Sequence, residues 1–279
     1  MRLKQSIAVL IVGALAGAGA SATVLFSPLA NNDQHVAELV DQRLAQLPEP
    51  DAIKADELGA SIEEYLLANP SVLERVSDAL TAEREAEQRV KTKALIEARK
   101  EEIFGSEDAV VVGNAEGDVT LVEFYDYNCD YCRRAMPDVA ALLEEDPGLR
   151  LVLRQFPILS QGSLESAKVG VVVAQQGGDY WAFHNGMFTA RGQANLSKAL
   201  AQAMTLGLTE EAIRTELASP EVDAVITASA SLARDLGING TPSFVIADEI
   251  IPGAVGVEVL REKIENVRLC GSTRCSVAE

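Results

Sequence analysis

The stretch Phe124-Tyr125-Asp126-Tyr127-Asn128-Cys129-Asp130-Tyr131-Cys132-Arg133-Arg134 decides how the rest of this chain is read. The residues leading into it, 119–125, are Val-Thr-Leu-Val-Glu-Phe-Tyr, a β-branched and aromatic run that predicts a buried strand. The residues after it, from about 129 to 145, predict a helix. Two cysteines three apart, where a strand gives way to a helix, suit redox chemistry. The first meets the free N–H groups and the positive end of the helix dipole, which favour a thiolate. The second lies one turn in and is placed to attack a mixed disulfide formed on the first. On this reading Cys129 is the nucleophile and Cys132 the resolving thiol. The same spacing is also half of a zinc site, with Cys270 and Cys275 as the other half.

Outward from the motif, Pro147-Gly148 makes a turn and 149–156 a second strand, which completes a βαβ unit. Helical patterns fill 163–176, 179–189, 196–204, 210–217 and 221–236. The chain returns to strand at 243–247, shows a shorter apolar run at Ile250-Ile251, and ends with a helix over 257–269. This order predicts an α/β domain over 106–269, with a helical insertion at about 160–219 between the two halves of a small sheet. Residues 105–117 read as a linker closing on a strand at Val110-Val111-Val112.

Upstream, helices are expected over 33–47, from about 51 to the residue before Pro70, and over 71–104. The centre of the third, 83–93, is a solvated rod with the favourable pairs Glu85/Arg89 and Glu87/Lys91. Three short apolar faces make a poor independent core, so the all-helical segment 31–105 is expected to build a homo-oligomer or to pack on the next domain. No sustained heptad supports a long coiled coil.

The whole chain has 279 residues, 48% of them apolar and 24% charged, with mean hydropathy +0.09, which is a globular composition. Its formal charge of -18 repels phosphate backbones and anionic headgroups, so nucleic acid is excluded as a natural partner. Arg2 and Lys4 are followed by no charge until Asp33, and 7–26 is apolar or small. Residues 1–30 therefore read as an export signal, cleaved at Ala18-Gly19-Ala20 or Ala20-Ser21-Ala22, or as an uncleaved anchor, since about 20 apolar residues span a bilayer. Either puts the cysteines in an oxidising compartment, which favours redox over zinc.

With the strand–C-x-x-C–helix unit, the helical insertion and Gly240-Thr241-Pro242 just ahead of a strand, residues 110–269 resemble the DsbA-like branch of the thioredoxin superfamily. The resemblance implies a thioredoxin-like fold and a cis peptide bond before Pro242, with Thr241 and Pro242 lying against the cysteines as a substrate-contacting loop; the alternative is an ordinary trans proline. It implies substrate contact for Asp130 and Tyr131 as well, and matches Glu123 to the buried acid that relatives use for proton transfer. Glu123 is also the odd charge in an apolar strand, and burial would raise its pKa; the alternative is a side chain facing solvent. The extension, through Ile62-Glu63-Glu64-Tyr65-Leu66-Leu67-Ala68-Asn69-Pro70, is similar to ScsC-type proteins, some of which oligomerise through such a segment. The implied function is a periplasmic thiol-disulfide oxidoreductase, soluble or tethered by 7–26. It would form, reduce or isomerise disulfides in unfolded or misoxidised exported proteins, exchange electrons with a membrane redox partner, and need no cofactor and no metal. The alternative is a thioredoxin-fold module that holds copper(I) or acts as a chaperone without turnover. One departure is the central Asp130-Tyr131, where the best-known DsbA has Pro-His. Asp130 puts a negative charge beside the thiolate, and Arg133 and Arg134 read as solvated.

In the tail 270–279, the flexible Gly271-Ser272 centre suits a structural disulfide between Cys270 and Cys275, with free thiols or a second redox pair as alternatives. His35 and His184 are weak metal candidates. His184 reads as packed among Trp181, Phe183 and Phe188.

Overall fold

The structure is a computed structural model describing residues 55–105 and 109–275, and upstream of these only the helical positions 38 and 42. The export segment, the remainder of the helix read at 33–47, and His35 lie outside the described residues. Two compact units divide between Leu73 and Glu74. In the first, α1 (Ala55–Ala68) leaves Leu58, Ile62, Tyr65 and Leu67 exposed. It stops where Pro70 forbids helix at Asn69, whose side chain donates to the Tyr65 carbonyl at 2.9 Å.

α2 (Ser71–Ala98) carries the chain into the second unit. Its centre is the solvated rod the charges imply, with Arg89–Glu85 at 3.6 Å and Lys91–Glu87 at 3.7 Å. Its end is different. Ile96 and, in α3 (Lys100–Phe104), Ile103 are 2% and 0% exposed, and both join a core cluster with the sheet. The second compact unit begins at Glu74 and so takes in this end of α2 together with α3. The last carbonyls of α3 would otherwise lack partners. Arg150 and Arg154 satisfy them, reaching the Phe104, Glu102 and Ile103 oxygens.

The sheet contains β1 (Val110–Gly113), β2 (Val119–Tyr125), β3 (Leu149–Gln155), β4 (Ser243–Ile246) and β5 (Glu249–Pro252), in spatial order β1-β3-β2-β4-β5. Only β2 and β3 pair in parallel, joined through α4 (Asp130–Glu145) as a βαβ unit. This is the thioredoxin-like arrangement. Between β3 and β4 come α5 (Gln161–Gln175), α6 (Tyr180–Thr189), α7 (Leu196–Thr205), α8 (Glu210–Glu216) and α9 (Pro220–Asp235). α9 packs back on α5 and β3, and α6 packs against β1. α10 (Val257–Cys270) closes the fold against α4 and β2.

Strand alternation sends successive residues of β2 to opposite faces. Val122 and Phe124 enter the cluster with α3 and α9, while Leu121 and Tyr125 enter the larger cluster that holds α4. Glu123 shares their face by the same alternation, which places it under the cysteine helix. Past α10, Gly271 in the left-handed conformation (φ 74°) turns the chain back. Cys270 and Cys275 are disulfide-bonded with Cα atoms 5.8 Å apart. Asp248, in the β4–β5 turn, holds this tail by accepting from Ser272 Oγ and from the Thr273 amide and hydroxyl. Among the described residues no helix is long and apolar enough to cross a membrane.

Candidate active site

Cys129 is the N-cap of α4 and Cys132 lies in its first turn. Cys129 reaches the surface at 7% exposure; Cys132 is fully buried. Both are free thiols. The loop ahead of β4 comes to them: the Thr241–Pro242 peptide is cis, and the Cys129 sulfur lies 3.1 Å from the Thr241 carbonyl oxygen. Glu123 is 2% exposed, within electrostatic reach of both sulfurs. Four residues singled out from the sequence (Cys129, Cys132, Glu123 and Thr241) thus meet around one pair of sulfurs, with Pro242 in the same loop.

The two sulfurs are opposite in character. The Cys132 thiol donates to the Cys129 sulfur and lowers the Cys129 pKa to about 5 against the cost of burial, helped by the Thr241 side chain and by the backbone N–H groups of Cys132 and Tyr131. These last are the free donors of the helix terminus. Cys132 is pushed far above the ordinary thiol range, first by burial, then by its bond to Cys129 and by the Glu123 charge. Burial, and secondarily the Cys129 charge, raises Glu123 to about 8, so at neutral pH it carries a proton. A thiolate, a thiol and a carboxylic acid therefore share one buried corner, equipped for thiol exchange with proton transfer.

Asp130 and Tyr131 lie exposed at the start of α4, with Tyr131 58% accessible. Arg134 is exposed as its sequence context suggests, whereas Arg133 is half-buried. Arg133 donates to the Phe188 and Ala190 carbonyls, at 3.2 Å for the latter, and Arg134 stacks over the Tyr131 ring at 4.1 Å. Arg133 is thus bound to the end of α6, and the largest causes of the Cys129 acidity are Cys132, Thr241 and the helix-terminal amides.

Cys270 and Cys275 are bonded to each other and so do not form a four-thiolate set with Cys129 and Cys132. His184 is fully buried, in ring contact with Tyr125, Tyr127, Trp181 and Phe188, and burial pushes its pKa down to about 3. It is a packed, neutral histidine. Sequence reading missed Asp126 and Asn128. Asp126 is 1% exposed and accepts from the Asn128, Ile158 and Leu159 amides. Asn128 pairs with both backbone groups of Ala194 and donates to Ser160 and Ser163. The available signal was two side chains that mimic turn backbone directly before the first cysteine.

Fold and site together define a thioredoxin-fold dithiol protein with a helical insertion. A family model described as Thioredoxin matches residues 105–266, and the chain belongs to the thioredoxin family. Its solved relatives are DsbA-like and ScsC-type members. A thioredoxin-like oxidoreductase from Silicibacter pomeroyi DSS-3 is 44% identical, covering 61% of this chain and 98% of that one, with a TM-score of 0.59. The thiol-disulfide exchange protein alpha-DsbA2 from Wolbachia pipientis is 28% identical, covering 65% and 98%, with a TM-score of 0.60. The catalytic domain of Proteus mirabilis ScsC shares the fold at 21% identity, covering 62% and 97%, with a TM-score of 0.57. Among curated relatives, the Na(+)/H(+) antiporter NhaA 1 of Salinispora arenicola is 29% identical over 54% of this chain, and the matched region spans only 23% of that protein.

In the reduced protein, the rate of iodoacetamide alkylation at Cys129 is expected to follow a titration centred near pH 5. By pH 6 it should reach roughly nine-tenths of its plateau. An inflection near the free-thiol value of about 8.5 contradicts the site as described.

Proposed function

We propose that this chain is a thiol-disulfide oxidoreductase of the bacterial envelope, acting on cysteines of exported proteins through Cys129 and Cys132. The observation that carries the reading is the opposed ionisation of the two sulfurs, one acidic and just reaching solvent, the other fully buried and held protonated. In the oxidising direction, a client thiolate attacks Cys129 Sγ of the Cys129–Cys132 disulfide. The client–Cys129 bond forms and Cys132 departs as a thiolate, taking the proton of neutral Glu123. A second client thiolate then attacks the client sulfur of the mixed disulfide and releases Cys129 as its stabilised thiolate. The client has lost two electrons and the enzyme has gained them. Run backwards, the same steps reduce a client, and the two directions in turn isomerise one. Thr241 and Pro242 flank the sulfur that takes the client, while Asp130 and Tyr131 offer an exposed contact beside it. A membrane redox partner would reset the dithiol.

Export is supported by the amino-terminal pattern of Arg2 and Lys4 followed by the apolar run 7–26, which delivers the domain to the periplasm as a soluble or a tethered protein. Cys129→Ala removes the nucleophile, so insulin reduction and refolding of scrambled ribonuclease should fall to the uncatalysed rate. Activity that survives this change refutes the oxidoreductase reading in favour of a binding module.

Homo-oligomerisation through 31–105 is part of the same proposal. It is supported by the exposed Leu58, Ile62, Tyr65 and Leu67 of α1 and, separately, by Val76 and Leu80 of α2, since large apolar side chains clustered on an exposed face mark association sites. Sedimentation should give a multiple of the 29.8 kDa chain mass, reduced by Val76→Asp with Leu80→Asp. A wild-type mass of one chain contradicts this.

A further inference from the structure

Asp126 lies three residues ahead of Cys129 and is 1% exposed. Burying a carboxylate is costly unless its lone pairs are filled. Here Oδ1 accepts the Asn128 N–H at 2.8 Å, and Oδ2 accepts the Ile158 and Leu159 N–H groups at 2.9 and 3.0 Å. The side chain thereby joins the turn before the cysteines to the turn between β3 and α5. The backbone of the same residue also reaches the cysteine pair: its carbonyl accepts the Cys129 N–H at 3.0 Å, and its main chain opposes the burial-driven rise of the Cys132 pKa.

Ile158 and Leu159 are 45% and 53% exposed, so this grip does not serve to bury them. Asn128 ties the same turn to Ser160, Ser163 and Ala194 by bonds that do not involve Asp126. Losing the carboxylate therefore loosens the turn without detaching it.

We propose that Asp126 is the positioning residue of the cysteine pair: its carboxylate locks the turn 126–129 against 158–159 and so sets the separation at which the Cys132 thiol meets the Cys129 sulfur. The inference rests on the reading of these two cysteines as a redox pair. It also fixes a sign. If Asp126 acted through its charge, a buried anion near a thiolate would oppose ionisation, and neutralising it would make Cys129 more acidic. If it acts through position, removing it weakens the thiol–thiolate bond and makes Cys129 less acidic.

The test uses the full chain with Asp126→Ala and Asp126→Asn, read by the pH dependence of Cys129 alkylation and by the Cys129/Cys132 potential against glutathione. Asp126→Ala should move the alkylation midpoint up by about one pH unit, a tenfold drop in the acid dissociation constant that corresponds to a potential about 30 mV more negative. Asp126→Asn keeps an acceptor for the Asn128 N–H and should shift both in the same direction by less. Should both fail to fold, Leu159→Pro removes one donor from the far side of the grip and should move the midpoint upward as well. An unmoved midpoint with lowered denaturation resistance overturns the proposal in favour of a purely structural carboxylate, and a downward shift overturns it in favour of a charge effect. A wild-type midpoint at the free-thiol value refutes the redox pair itself, so that failure is distinguishable from failure of Asp126 alone.

Discussion

One hydrogen bond organises this site: the proton that Cys132 keeps and points at the Cys129 sulfur. Burial denies Cys132 the anionic state, so it remains a donor, and a donor that close makes the neighbouring sulfur the better anion. Each half of the asymmetry supports the other. Glu123, raised to about 8, keeps a proton in the same corner without adding a second charge at neutral pH, a state imposed by its place on the core face of β2. The nucleophile, the resolving thiol and the proton carrier are thus differentiated by depth more than by sequence.

The contrast between the site and the whole molecule is instructive. A chain of formal charge -18 would be expected to disfavour a further anion, yet Cys129 is acidified. Long-range repulsion is screened within about 10 Å at ordinary ionic strength, whereas the thiol and amide donors are in contact. The arginines beside the motif contribute little to this balance, since Arg133 holds the end of α6 and Arg134 lies on Tyr131. Instead they organise the surroundings of the sulfurs.

The sheet strands and most helices were legible because their signals are local and redundant: β2 is an apolar run, α4 begins at the cysteines, and Pro70 and Pro147 mark ends. The docking of Ile96 and Ile103 onto the sheet was not legible. Ile96 and Ile103 look like the tail of a charged rod until β3 supplies Arg150 and Arg154 to take its last carbonyls, a pairing that arises only in three dimensions. In the site, the cysteines, Glu123 and the Thr241–Pro242 turn could be read from spacing and resemblance. Asp126 and Asn128 could not, because an Asp or Asn before a helix usually reads as an ordinary turn residue and their partners at 158–163 and 194 are remote in sequence.

The ionisation of the pair is tested most directly by the pH dependence of the Cys129/Cys132 reduction potential between about pH 6 and 7, below the Glu123 titration. If the reduced site holds one thiolate and one thiol, oxidation releases one proton for two electrons, and the potential should fall by about 30 mV per pH unit. A slope of about 59 mV per unit would mean that two protonated thiols are being oxidised and would contradict the account.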